Sequence, residues 1–264
     1  LLHSLDLSKF DTSSVRDMGS MFKDCGYLES IDLSSFDTSS VTNMERMFDW
    51  CRVKDLDLSS FNTSSVKNMQ SMFSSCLNLK SLKLDMFSTS SVDTMRTMFY
   101  DCRNLEYLDI SSFDTSSING RGGMEYLFEK CNCLTTVRLG VSCRENIRKQ
   151  LPTLYHDSFN VSWKNSSGKS IMDLPDTSAD TFYAKAKLSK GYFSIDTSDV
   201  VFTGGPRYKA CTSCSGLKKG VDYEESYSDN VFCGKATLLI TGIGVFEGEI
   251  TYKFNIVKAI PSYE

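Results

Sequence analysis

The sequence has little with which to do chemistry. Its 264 residues include only two histidines, His3 and His156, in unrelated contexts. A His-Glu-x-x-His pair, a Gly-x-Ser-x-Gly elbow and a phosphate-binding glycine loop are all missing. Catalysis needs a convergent set of titratable groups, so neither an enzyme nor a cofactor is expected. Positive charge is also short: 29 Lys and Arg stand against 33 Asp and Glu, a net charge of -4. Nucleic acid or an anionic membrane surface would require a basic footprint, and neither partner is expected. The longest apolar stretches, such as 236–240, fall far short of the ~20 residues that span a bilayer. Leu1 falls in the middle of a repeat, so the sequence reads as a segment of a longer protein whose targeting and anchoring parts lie elsewhere.

Repetition is what the sequence does have. Phe10, Phe36, Phe61, Phe87 and Phe113 follow one another at 26, 25, 26 and 26 residues. Cys25, Cys51, Cys76, Cys102 and Cys131 follow at 26, 25, 26 and 29, the last interval stretched by an insertion around Gly120, Arg121 and Gly122. Each unit carries an apolar-x-apolar triplet, from Leu5-Asp6-Leu7 through Leu56-Asp57-Leu58 to Val137-Arg138-Leu139, whose alternation predicts a short strand with one face buried. Next comes Phe-Asp/Asn-Thr-Ser-Ser, a turn in which Asp, Asn and Ser bond to their own backbone. Val41, Met44, Met47 and Phe48, at i, i+3, i+6 and i+7, predict a short helix N-capped by Ser39 or Ser40. One strand and one helical turn per ~26 residues is the pattern of a leucine-rich repeat. The expected fold is therefore an α/β leucine-rich-repeat solenoid: short parallel strands, short helical turns, and ladders of Met, Phe and thiol side chains inside. Stacked cysteines would lie roughly 5 Å apart, a spacing a disulfide tolerates, but buried thiols are the better reading of the five ladder cysteines.

After Leu139 the register disappears. Ser142 with Glu145 forms a capping box, Ile147 and Leu151 follow four apart, and Pro152 ends the helix. Such a helix would cap the open end of the repeat core, with Trp163 and Tyr183 completing the cap or forming a hinge. From about residue 186 the alternation becomes β: Ala236, Leu238 and Ile240, then Ile250, Tyr252, Phe254 and Ile256, with Gly242, Gly244 and Gly248 between them. The Gly-punctuated stretch 216–230 supplies another hairpin. The expected organisation is a repeat domain over 1–185 (repeats to about 140, cap 141–185) and a small all-β domain over 186–264.

Two sets of motifs carry a family resemblance. FDTSSVTNMERMFDWC-x3-DLDLSSF, recurring five times, with SWKNSSGKS and LPDTSADTFYAK after it, resembles the leucine-rich repeats of BspA-like bacterial surface proteins. VVFTGGP, LKKGVDYEESYSDN, GKATLLITGIG and FEGEITYKFNI are similar to the small Ig-like or β-grasp-like repeats of Gram-positive surface proteins. The resemblance implies an exported, cell-wall-attached protein, outside the cell and associated with adhesion. Its implied partner is a protein or glycan on a host or neighbouring cell, and a monomer is expected to suffice. The non-catalytic part of a larger secreted hydrolase, or a passive stalk, would look the same. The glycosylation sequons at Asn62, Asn160 and Asn165 carry no weight in a bacterial chain.

Two sets of residues stand out as candidates. The middle residue of each repeat strand should point away from the core: Asp6, Asp32, Asp57, Lys83, Asp109 and Arg138. Rungs of a sheet lie roughly 5 Å apart, so this row reads as an acidic groove bounded by Lys83 and Arg138, with Tyr107 as an aromatic anchor. The second set is the remaining cysteines. Cys143 could pair with Cys131 or Cys133, a choice the sequence leaves open. Cys211-x-x-Cys214 spells half of a zinc or redox motif. With Cys233 the only third thiol and no histidine near, a disulfide from Cys233 to Cys211 or Cys214 is the better reading than a metal site.

Overall fold

The computed structural model describes residues 5–118, 123–147, 149–151, 162–171, 179–195, 198, 200–201, 211–213, 217, 219–228 and 234–257. The chain divides into two compact units: Leu1–Ser158 with Trp163–Ala184, and Phe159–Ser162 with Lys185–Glu264.

The repeat unit corrects the expected fold. Among the described residues regular structure is almost entirely strand, and the one α-helix is four residues long, so an α/β leucine-rich-repeat solenoid with helical turns is not what forms. The reason lies in where the N–H groups go. In an α-helix every N–H past the first turn bonds four residues back along its own chain. Here the N–H groups of Met44, Arg46, Phe48 and Trp50 instead reach sideways to the carbonyls of Asn68, Gln70, Met72 and Ser74 in the next coil, each at 2.9 Å. Those of Met47, Asp49 and Cys51 turn back three residues, to Met44, Arg46 and Phe48. Arg46 and Trp50 adopt positive φ of 55° and 60°, and each later coil repeats the pair at the same four-residue interval. A helix cannot continue through such residues, which cost roughly 1–2 kcal/mol apiece. The lateral bonds and the ladders they align offset that cost. A turn recurring every four residues still places Val41, Met44, Met47, Phe48 and Cys51 inside, all 0% exposed.

Three ladders run through the coils. Phe22, Phe48, Phe73, Phe99 and Phe128 stack with successive centroids 5.6–5.8 Å apart. Cys76, Cys102 and Cys131 donate their thiol protons to the carbonyls of Phe48, Phe73 and Phe99 at 3.1, 3.0 and 2.9 Å. The third ladder is polar. Thr12, Thr38, Thr63, Thr89 and Thr115 are all buried. The Thr63 hydroxyl donates to Ser88 O at 2.9 Å and accepts the Ser88 N–H at 2.8 Å. Thr12, Thr38 and Thr89 make the same pair of bonds with Asp37, Asn62 and Asp114. The expected Asx turns are present as well: Asp11, Asp37, Asn62 and Asp114 each accept the N–H of the serine two residues on.

Of the triplets, three form bonded strands: β1 (Ser81–Lys83), β2 (Tyr107–Ile110) and β3 (Thr136–Leu139), parallel and in register, with Leu82 beside Leu108 and Leu108 beside Val137. Between the earlier triplets serine hydroxyls take the carbonyls, Ser35 that of Leu7 and Ser60 that of Leu33. At the far end β5 (Asp180–Lys187) runs antiparallel along β3, setting Phe182 against Val137, and the short β4 (Ser162–Lys164) pairs with β5. The helix expected up to Pro152 is a single turn, α1 (Arg144–Ile147), which buries Ile147. Asn146 beside it donates to the last ladder threonine, Thr115, at 3.0 Å. Trp163 is buried and Tyr183 is exposed. Gly120, Arg121 and Gly122, the side chain of Glu145, Pro152, and the histidines lie outside the described residues.

The C-terminal unit is built on strand pairing of the ordinary kind. Strands β10 (Gly234–Gly242) and β12 (Glu249–Val257) are antiparallel with Ala236 opposite Phe254 and Ile240 opposite Ile250. β9 (Tyr223–Ser228) pairs with the other edge of β10, and β7 (Val200–Val201) lies parallel to β12. A two-residue β11 (Phe246–Glu247) interrupts the turn and pairs with Ala186 and Lys187, and β6 (Ser194–Ile195) pairs with β8 (Cys211–Ser213). Inward residues alternate as expected, except that Tyr252 is half-buried and its hydroxyl donates to Lys190 O. The described part of the stretch 216–230 contributes one strand, β9, which pairs with β10.

Candidate functional site

The triplet face does not form one continuous acidic groove. Asp6, Asp32 and Asp57 are exposed as expected. Each accepts the N–H of the serine two residues on, Ser8, Ser34 and Ser59, at 3.0 Å. These bonds hold all three carboxyls below the usual carboxylate range. The serine hydroxyl is the larger cause at Asp6, and the backbone N–H at Asp32 and Asp57. Repulsion from Asp32 acts the other way on Asp6 and Asp57 and is the smallest of the influences there. The aspartates are thus turn-forming residues that keep one side in water.

Asp109 breaks the row, because it is 3% exposed rather than pointing outward. Arg138 donates to it at 3.1 Å, the Tyr107 hydroxyl at 3.4 Å and the Ser111 N–H at 3.0 Å. The Arg138 guanidinium is held above its usual range by that bond, and burial pushes the Tyr107 phenol up, with the Asp109 charge adding to it. Arg138 and Tyr107 are therefore occupied with Asp109 and do not edge an open groove.

An open hollow remains between the third and fourth coils, with a volume of about 330 Å³. Leu58 and Phe87 are buried in its floor, and Asp55, Asp57, Lys83, Asp85 and Met86 are exposed around it. Among the described residues none of Asp55, Lys83 and Asp85 has an ion-pair partner within 4 Å, although Asp85 feels the charge of Arg138, so three carboxylates and one ammonium line the open hollow. Met86 is 68% exposed. The sequence reading singled out Asp57 and Lys83 but missed Asp55, Asp85 and Met86. A signal was present: other coils read Leu-Asp-Leu-Ser-Ser-Phe or close to it, whereas the fourth reads Leu-Lys-Leu-Asp-Met-Phe. Asp55 stands where Ser30 and Ser81 do. Departures from the repeat gather at one hollow.

The cysteines from Cys25 to Cys143 are thiols rather than half-cystines. Cys131 bonds within the ladder, Cys133 is exposed, and Cys143 is buried with its Sγ 3.8 and 3.7 Å from the carbonyls of Ile110 and Gly140. The side chain of Cys211, and Cys214 and Cys233 altogether, lie outside the described residues. Among the described residues no group of three or more His, Cys, Asp or Glu is placed to hold a metal ion, and no helix is long and apolar enough to cross a membrane.

Fold and site together define a stacked-coil β-protein with an open, charged face. The chain belongs to the family described as "Mycoplasma protein of unknown function, DUF285", which matches residues 2–81 and again 50–138, together slightly more than half of the sequence. No curated protein and no solved structure matches it.

Proposed function

We propose that this chain is a non-catalytic cell-surface recognition module, acting as a monomer outside the cell, and that the hollow between the third and fourth coils binds a basic segment of a protein partner. The observation that carries this reading is the convergence of Asp55, Lys83, Asp85 and Met86 on that hollow. These departures from the repeat serve no ladder, and they leave charge and a flexible apolar side chain in water. Three carboxylates against one ammonium favour a ligand carrying Lys or Arg, with Met86 adapting to its apolar stem. The resemblance to BspA-like surface proteins supports the same direction.

The test is binding to immobilised basic matrix proteins at several salt concentrations. The parent protein should bind with an affinity that falls as salt rises. The triple variant Asp55→Asn, Asp57→Asn, Asp85→Asn should weaken binding at least about tenfold. An asparagine in place of Asp57 would still accept the Ser59 N–H, so the turn survives. Equal binding by parent and variant, or no ligand in the set, would leave a passive stalk as the better reading.

A further inference from the structure

A second hollow, of about 190 Å³, lies between the first two coils and is lined by Asp24, Gly26, Tyr27, Trp50 and Arg52. Nothing in the repeat architecture requires its two aromatic residues. Trp50 stands just before a ladder cysteine, where the other coils carry Asp24, Ser75, Asp101 and Lys130. Tyr27 stands where later coils carry Asn78 and Asn104, which reach back to backbone carbonyls of the coil before. Both residues are about half exposed, Trp50 50% and Tyr27 56%.

The backbone beneath these side chains is fixed. The Trp50 N–H donates to Ser74 O and that of Asp24 to Asp49 O, while the Gly26 N–H closes back on Asp24 O. The Arg52 carbonyl accepts the Asn78 amide at 2.9 Å. A site on such a frame loses little freedom when it is filled.

From this we infer that the Tyr27–Trp50 hollow is a binding site for one sugar ring of a neutral glycan. Its volume falls below the roughly 300–1,000 Å³ of sites for drug-sized ligands, which suits a single ring. The aromatic faces carry partial negative charge and attract the polarised C–H groups of a pyranose. The hydroxyls around such a ring need planar groups that accept and donate in pairs, and a carboxylate and a guanidinium supply both. One of each lines the hollow, and Asp24 also lies 3.8 Å from Lys23, so the two signs stand side by side and form no patch of one sign that would draw a charged ligand. The aromatic surface also ends within one coil, because Ser75 and Asn78 occupy these places in the next. A specific protein interface needs ≈ 800 Å² from each partner, and the patch does not extend that far.

The chain has two tryptophans, and Trp163 is 6% exposed, so a change in intrinsic emission on binding reports Trp50. The experiment titrates the protein with methyl glycosides of neutral hexoses and N-acetylhexosamines, and screens it on an immobilised panel of neutral oligosaccharides. At least one neutral sugar should shift the emission and be retained on the panel. Trp50→Ala should weaken that binding about tenfold or more, and Trp50→Phe should recover part of it. Gly26→Ala should also weaken it with no change in melting temperature, because a methyl there would lie 4.0 Å from its nearest neighbour, Asp24 O, and only occupy the floor of the hollow. The triple Asp55, Asp57, Asp85 variant should bind the sugar as the parent does, which keeps this site separate from the charged hollow. No response across the neutral panel, a response limited to sulfated or sialylated glycans, or undiminished binding by Trp50→Ala overturns the inference. So does a Trp50→Ala protein that loses only a protein partner.

Discussion

In the repeat unit a buried side chain meets copies of itself. Phe73 stacks between Phe48 and Phe99, within 2–4° of parallel to each, and Thr63 bonds to a coil that carries its own copy, Thr89. In the C-terminal unit each buried group meets something different: Phe193 sits edge-on to Tyr223 at 5.0 Å, and Ala236 faces Phe254. A ladder is easy to extend, since a neighbouring coil accepts the same residue at the same place. It is also easy to break, since a gap in one coil removes contacts from the coils on both sides. A sheet core of unlike residues can shift locally into a gap. The ladders therefore make the repeat unit less forgiving, position for position, than the sheet beside it in sequence.

The sharpest way to break the comparison is in the phenylalanine ladder. Phe73→Ala should destabilise the repeat unit by about 3–5 kcal/mol, toward the upper end because both stacking partners lose a face at once. Both tryptophans belong to that unit, so the unfolding transition seen in tryptophan emission reports it specifically. That transition should move to much lower urea in Phe73→Ala and hold its midpoint in Phe254→Ala, which should shift only the transition followed by circular dichroism. If Phe254→Ala moved the tryptophan transition as far as Phe73→Ala does, the two cores would not be separable.

A smaller effect is expected in the threonine ladder. Thr63→Val keeps the shape but leaves the half-buried Ser88 N–H and carbonyl without the hydroxyl that serves both, a loss of about 1 kcal/mol or somewhat more. Thr63→Ser should recover most of it. The matching change in the C-terminal unit, Thr237→Val on half-buried β10, should stay within roughly 0.5 kcal/mol. Urea midpoints for the three variants test this, and a Thr63→Val protein as stable as the parent would mean that the ladder hydroxyls do not bind the coils together.

The same contrast explains what could be read from the sequence. The period, the buried Met, Phe and Cys positions and the alternation in β10 and β12 were legible, because burial repeats along the chain wherever a face is buried. The helical turns were misread, because a turn recurring every four residues buries Met44, Met47, Phe48 and Cys51 at the same spacing a helix would. Spacing reports which side chains go in and not which carbonyl an N–H finds, and here those of Met44 and Phe48 find carbonyls 24 residues further on. The polar ladder was missed for a related reason. Thr-Ser-Ser reads as turn chemistry, and nothing in one copy says that its threonine is buried against the next. At the charged hollow, Asp57 and Lys83 followed from strand alternation, whereas Asp109 went inward because Arg138 and Tyr107 neutralise and cover it. Asp55, Asp85 and Met86 were visible only as exceptions to the repeat, which a search for the repeat tends to pass over.

The mildest test concerns pH. The groups with the clearest shifts lie in the ladders and turns of the repeat unit. Asp6, Asp11, Asp32, Asp37, Asp57 and Asp114 are held below the usual carboxylate range by the serine hydroxyl or N–H two residues on. A carboxyl whose folded value is depressed stabilises the fold fully above its unfolded value, about 4, and loses that contribution as the pH falls through the folded value. The thiols behave in the opposite sense. Burial pushes Cys51 and Cys76 up, and Cys131 is raised by its bond with Cys102 and then by burial. Their contribution is complete below the unfolded thiol value, about 8.5, and is lost as the pH rises above it. The repeat unit should therefore melt at a nearly constant temperature between about pH 4 and pH 8.5, with a shallow acid limb and a steeper alkaline one. The acid limb is shallow because most of these carboxylates are fully exposed and screened. Replacing Asp32 and Asp57 by Asn keeps an oxygen for Ser34 and Ser59 while removing the titration, so melting temperatures followed by tryptophan emission should fall less in acid for this double variant than for the parent. Parallel acid limbs in the two proteins would mean that the turn bonds of the outward aspartates do not set the acid stability of the repeat unit.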